Sequence, residues 1–165
     1  MGLDMYANRK IYTKQWEHQS DDEKYTVEVV RGGKPVAGIQ LGRISHVEEE
    51  VMYWRKANHI HAWFVKNVQD GIDNCAEYYV SPDNLSELHR VCYEVLEASH
   101  IVEGKIADDT VARRLLPTTE GFFFGSYGYG NDYLDDVIAT LNWCLLMLKD
   151  IESGVPYSIY YRSSW

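Results

Sequence analysis

Two histidines, His59 and His61, stand two residues apart in residues 53–64, YWRKANHIHAWF. Imidazole binds metals and carries protons near neutral pH, so metal chemistry is the first candidate. The stretch reads as helix, and helix geometry counts against it. Residues two apart point about 200° away from each other, whereas two ligands on one face need a spacing of three or four, as in H-E-x-x-H. No Glu or Asp lies at a useful offset within the helix. The side chains sort instead into three stripes. Tyr53, Ala57, Ile60, Phe64 and Val68 form an apolar core face. Trp54, Asn58, His61 and Val65 flank it, and Arg55, His59 and Lys66 face outward or over a cleft edge. The middle stripe has two readings. As a recognition wall it offers an indole to stack on, a bidentate amide and a tunable donor, with Arg55 beside it for a carboxylate or phosphate. As plain structure it is a buried polar network in which Asn58 and His61 satisfy backbone groups of a sheet edge or loop.

Other stretches carry weaker signals. Asp70, Asp73 and Asn74 in QDGIDNCAEYY could place a hard cation. Their glycine comes too early for an EF-hand loop and no terminal glutamate follows, while turn formation explains them without metal. EGFFFGSYGYGND interleaves four glycines with aromatics but lacks G-K-[ST] and does not fit G-x-G-x-x-G. Its glycines allow close backbone approach, and the helix start that follows offers N–H groups to an anion. Ser126, Tyr127 and Tyr129 would add hydroxyls and rings, so the segment reads equally as a lid or as a hairpin turn. There is no G-x-S-x-G, and the three cysteines have no obvious paired base. The residues thus give no catalytic set, no metal ligands and no cofactor. The candidate ligand-binding set is Trp54, Arg55, Asn58, His59, His61, Tyr127 and Tyr129.

The elements that must position these residues follow from periodicity. Residues 2–16, 25–30 and 36–47 read as strands of an antiparallel meander with turns at residues 20–23 and at RGGKP. From about Glu49 the period becomes helical and runs to QDG, where Gly71 is a natural left-handed cap. SPDNL opens a second helix with Ser81 as N-cap and Pro82 at the first position, ending before Gly104. Residues 105–116 add a short helix stopped by Pro117. Asn131 or Asp132 caps a last helix, and YSIYYRSSW is a final strand. The expectation is one α+β domain over residues 1–165, a mostly antiparallel sheet with about three helices packed on it.

Bulk properties narrow the function classes. At 165 residues, 45% hydrophobic and 25% charged, the composition is that of a globular protein. A net charge of −9 argues against binding a nucleic-acid backbone, where Lys and Arg supply affinity. The acidic runs at 48–50 and 135–136 fall where helices are expected to begin and would complement their dipoles. Thirteen tyrosines suit a thick sheet–helix interface or a ligand cleft with stacking walls. Three scattered cysteines suit a reducing cytoplasm. No signal-peptide h-region opens the chain, and WCLLML is too short to span a bilayer.

MGLDMY, YWRKANHIHAWFV, NCAEYYVS, LLPTTEGFFFGS and YYRSSW together resemble a family of short uncharacterised proteins encoded in bacteriophage, prophage and bacterial genomes. The matched stretches run in register from the first residue to the last. Residues 15–36 and 99–109 fall outside them. The family brings no catalytic residues to carry over. The resemblance implies a small, dispensable accessory protein, viral in type, acting in the bacterial cytoplasm. With the polar stripe, it leads to the expectation of a protein that sequesters a small anionic ligand, a nucleotide-derived host defence signal, with no nucleic-acid or membrane partner and with self-association into a homo-oligomer left open. Two alternatives stand beside it. One is an enzyme acting on such a ligand, with His59 or His61 as general acid or base and Asp70 or Asp73 orienting it or holding a metal. The other is an acidic, tyrosine-rich inhibitor of a host protein complex.

Overall fold

A computed structural model describes residues 2–121 and 124–165; Phe122 and Phe123, in the middle of the glycine–aromatic segment, lie outside the described residues, as does Met1. In chain order the elements are β1 (Asp4–Tyr12), β2 (Val30–Arg31), β3 (Lys34–Pro35), β4 (His46–Arg55), α1 (Asn58–Asn67), β5 (Tyr78–Val80), α2 (Pro82–Glu97), β6 (Ile101–Val102), β7 (Lys105–Ile106), α3 (Thr110–Leu115), α4 (Asn131–Glu152) and β8 (Tyr157–Ser164). Four strands build one antiparallel sheet in the order β4-β1-β8-β5. The α+β class, the antiparallel sheet and three substantial helices (α1, α2 and α4) all match the sequence reading.

Alternation places Met5, Ala7, Trp54, Val80, Ile159 and Tyr161 on the inner face of the sheet. There they share one buried cluster with Ile60, Phe64, Leu85, Leu88, Val137 and Met147 of the helices. The alternate residues carry much of the tyrosine surplus on the other face. Tyr6 lies 5.3 Å from Tyr53 and Tyr79 lies 5.9 Å from Tyr160, with Arg162 and Lys10 over two of these rings. The surplus therefore furnishes an outer sheet face as well as a core.

Two expectations for the first third of the chain are corrected. The meander of three successive strands is absent: β1 pairs directly with β4, and the only strands between them are the two-residue pair β2–β3 around Gly32 and Gly33. Nor does the first helix begin at Glu49. Residues 46–55 are extended, and α1 starts at Asn58. The acidic run that suggested a helix start is the cross-strand complement of β1. Glu49 pairs with Arg9, and Glu48 Oε2 lies 3.8 Å from Lys10 Nζ. Opposite charges placed face to face support a ladder, and Val47, Val51 and Tyr53 are strand formers. Val51 is the extra residue of a bulge, between the pairs Ala7–Met52 and Asn8–Glu50.

The later helices follow their local signals. Ser81 and Asn84 close a capping box at the start of α2, with the Ser81 hydroxyl accepting from Asn84 N at 3.1 Å. The short helix is confined to Thr110–Leu115, and α4 is capped by Gly130 rather than by Asn131 or Asp132.

Candidate functional site

The site is built around the corner where β4 passes into α1. Lys56 occupies the left-handed region at φ 62, at a cost of order 1–2 kcal/mol for a residue with a Cβ. The turn is held by Lys56 N donating to Leu3 O at 2.8 Å. Gly125 packs onto this corner at φ +95; a Cβ there would stand 2.8 Å from Lys56 Cβ and 3.0 Å from Lys56 O. The glycine of the aromatic segment is therefore needed for close backbone approach.

Asn58 fastens that segment. Its Nδ2 donates to Phe124 O at 3.1 Å and Ser126 O at 2.9 Å, and its Oδ1 accepts from Thr119 N at 2.9 Å. At 1% exposure the amide serves the protein's own backbone. His61 is equally committed. Nε2 lies 2.9 Å from Asp73 Oδ2 and Nδ1 lies 2.8 Å from the Tyr161 hydroxyl. Both partners are satisfied when Nε2–H donates to Asp73 and Nδ1 accepts from Tyr161. Asp73 also accepts from Trp165 Nε1 at 3.1 Å. Trp54 is a core residue whose indole donates to Thr140 Oγ1 at 2.8 Å and meets Trp143 edge to face. The sequence placed Trp54, Asn58 and His61 on one wall of a helix. That wall does not exist, because Trp54 belongs to a strand and all three are buried and bonded internally.

A different set converges. Arg55, Lys56 and His59 line a cleft of about 380 Å³ together with Gly125, Ser126 and Gly128 and with Asp132, Tyr133, Asp135 and Asp136 of α4. Of the two placements expected for His59, outward or over a cleft edge, it takes the cleft; it is 3% exposed, and its ring lies 4.2 Å from that of Tyr133. Nε2 of His59 has no hydrogen-bond partner among the described residues. Burial pushes this imidazole down to about 3, so it is neutral at pH 7. Asp136 moves the other way. Burial, then the charges of Asp132 and Asp135, push its carboxyl up to about 7. The cleft thus joins two cations, a neutral imidazole with an unused nitrogen, a hydroxyl and three carboxyl groups, one of them poised near neutral pH.

The two loop tyrosines separate. Tyr127 is exposed, and its hydroxyl donates to Gly121 O at 3.1 Å. Tyr129 is buried, accepts from Thr118 N at 3.0 Å, and carries Arg113 4.5 Å above its ring. It lines an adjoining cleft of about 340 Å³ that shares Ser126, Gly128, Asp132 and Tyr133 with the first. Of the expected set, then, Arg55 and His59 meet in the main cleft and Tyr129 borders its neighbour. Lys56, Asp132, Asp135 and Asp136 were not singled out as site residues. The spacing of the acids carried the signal, since positions i, i+3 and i+4 share one helix face.

The expected turn role of Asp70 fits its φ of 52, and Asp73 has become the partner of His61. Among the described residues no group of three or more His, Cys, Asp or Glu side chains gathers as metal ligands, and no helix is long and apolar enough to cross a membrane. The chain matches no protein-family model, no curated protein and no solved structure.

Proposed function

We propose that this chain is a binding protein that captures a small, anionic, nucleotide-derived molecule in the cleft between the β4–α1 corner and the start of α4. One observation carries the reading: Arg55 and Lys56 share a cleft with Asp132, Asp135 and Asp136 around a buried His59 whose Nε2 has no partner among the described residues. A bare anion would meet the carboxylates as well as the cations. A nucleotide satisfies both, with phosphate on Arg55 and Lys56 and ribose hydroxyls or an exocyclic amine donating to carboxylates. The accessory role, sequestration of a host defence signal in the bacterial cytoplasm, rests on the resemblance of the sequence to phage-encoded proteins.

Turnover has one supporting observation, the Asp73–His61 hydrogen bond that orients an imidazole. Both nitrogens of that ring are engaged and Tyr161 beside it is fully buried, so capture is the stronger reading. A single experiment separates the outcomes. Purified protein is incubated with cyclic oligonucleotides, ADP-ribose derivatives and free amino acids, freed of unbound ligand, and heated. Mass spectrometry of the supernatant is expected to show an intact nucleotide that Arg55→Gln no longer retains. Retention of an amino acid, whose carboxylate and ammonium would also suit the two charge types, would overturn the nucleotide class. Retention of nothing would overturn the binding role, and a cleaved product lost in a His61→Ala variant that keeps its fold would establish catalysis instead.

A further inference from the structure

His59 also borders a second groove, of about 270 Å³, between α1, α2 and α3. We propose that this groove is a separate site for a small phosphate-type dianion, held by Lys66 of α1 and Arg114 of α3. The charge balance is the first argument. The chain as a whole carries −9, yet this groove is lined by Lys66, Arg90 and Arg114 against a single acid, Glu87.

The division of labour among the cations is the second. Arg90 is consumed within α2: its Nε and Nη2 donate to Glu87 at 2.9 and 2.6 Å, and Nη1 donates to Glu94. Arg113, next to Arg114, is tied to Asp109 at 2.7 Å and lies over Tyr129. Lys66 and Arg114 have no ion-pair partner among the described residues. They arrive from two different helices onto one concavity, which the edge of the nearly buried Trp63 helps to shape. Local ion pairs thus neutralise the neighbouring arginines and leave two charges unspent in the groove.

His59 borders this groove as well as the main cleft and is neutral at pH 7, so it adds no charge to the balance between the cations and Glu87. Lys66 and Arg114 also sit in the last turns of α1 and α3, where they offset the negative helix ends. That second duty lowers the net potential of the groove, so inorganic phosphate is the probe and is titrated through the millimolar range.

The test follows binding of inorganic phosphate by 31P NMR and by thermal shift, in wild type, Lys66→Gln, Arg114→Gln and the double variant, with Arg55→Gln alongside. Saturable binding is expected, weakened by about tenfold for each groove cation removed and abolished in the double variant. It should survive Arg55→Gln, which reports on the nucleotide cleft alone. Phosphate affinity unchanged in the double variant, or lost in Arg55→Gln only, overturns the proposal, as does the absence of saturable binding. Both glutamine changes lie at exposed positions and leave the core intact, so loss of binding with an unchanged melting temperature reads as loss of the site.

Discussion

At the scale of single residues, the two histidines of one short helix do opposite work. His61 is closed into the chain Asp73–His61–Tyr161, and its imidazole has no nitrogen left for a ligand. His59 is as buried but has one nitrogen unused. Asp136, across the cleft, makes a test in which stability and binding move apart. Its folded carboxyl titrates near 7, whereas an unfolded aspartate titrates near 3.8. The native state therefore holds the extra proton between these values, and stability falls as pH rises from about 4 to about 7. His59 has the opposite sign. Its folded value is depressed to about 3 from 6.5, so its contribution is present above 6.5 and is lost as pH falls towards 3. Asp136→Asn is expected to raise the melting temperature at pH 8, with the gain shrinking to nothing near pH 4. The same variant is expected to bind the nucleotide ligand more weakly, because it removes a hydrogen-bond acceptor. Thermal melts across pH and a ligand titration check the two halves, which is the usual opposition of stability and function at a site.

At the scale of elements, the corner between β4 and α1 decides whether the cleft exists. Lys56 is left-handed without being glycine, and Gly125 can pack on it only because it has no Cβ. Gly125→Ala should therefore lower stability by about 1–3 kcal/mol, through the positive φ and the clash with the Lys56 backbone. Gly128→Ala, whose Cβ would meet only Ser126 Oγ at 3.5 Å, should change it by less than about 1 kcal/mol. Chemical denaturation of the two variants measures the contrast. The same corner shows what the sequence could reveal. Helices α2 and α4 were legible because a Ser-Pro cap and a long apolar period are local signals. The pairing of β1 with β4 was hidden, because it depends on Arg9 and Lys10 meeting Glu49 and Glu48 across about forty residues of intervening chain. Once the residues from about Glu49 onward were taken as helix, Trp54 and Asn58 fell onto one imaginary face, while Arg55 and His59 still reached the cleft. The carboxylates of α4 had the spacing of a shared face, but the partner of that face is set only by the fold.

At the scale of the whole molecule, the acidic balance is unevenly spent. Arg9, Lys10, Arg90 and Arg113 are tied into ion pairs, whereas Arg55 with Lys56, and Lys66 with Arg114, stand at two concavities on either side of His59. The sheet contributes a second, tyrosine-bearing face. His59 reports on the nucleotide cleft once the groove cations are removed. Its imidazole 15N resonances are to be followed during titration with ADP-ribose or a cyclic dinucleotide in the Lys66→Gln/Arg114→Gln variant, with and without Arg55→Gln. The resonances of a neutral imidazole are expected from pH 5 to pH 8, with a saturable shift of His59 on ligand addition while His61 is unmoved, and no shift at the same ligand concentration once Arg55→Gln is added. A His59 resonance that stays fixed while a nucleotide binds, or that shifts equally with Arg55→Gln, would contradict the nucleotide reading.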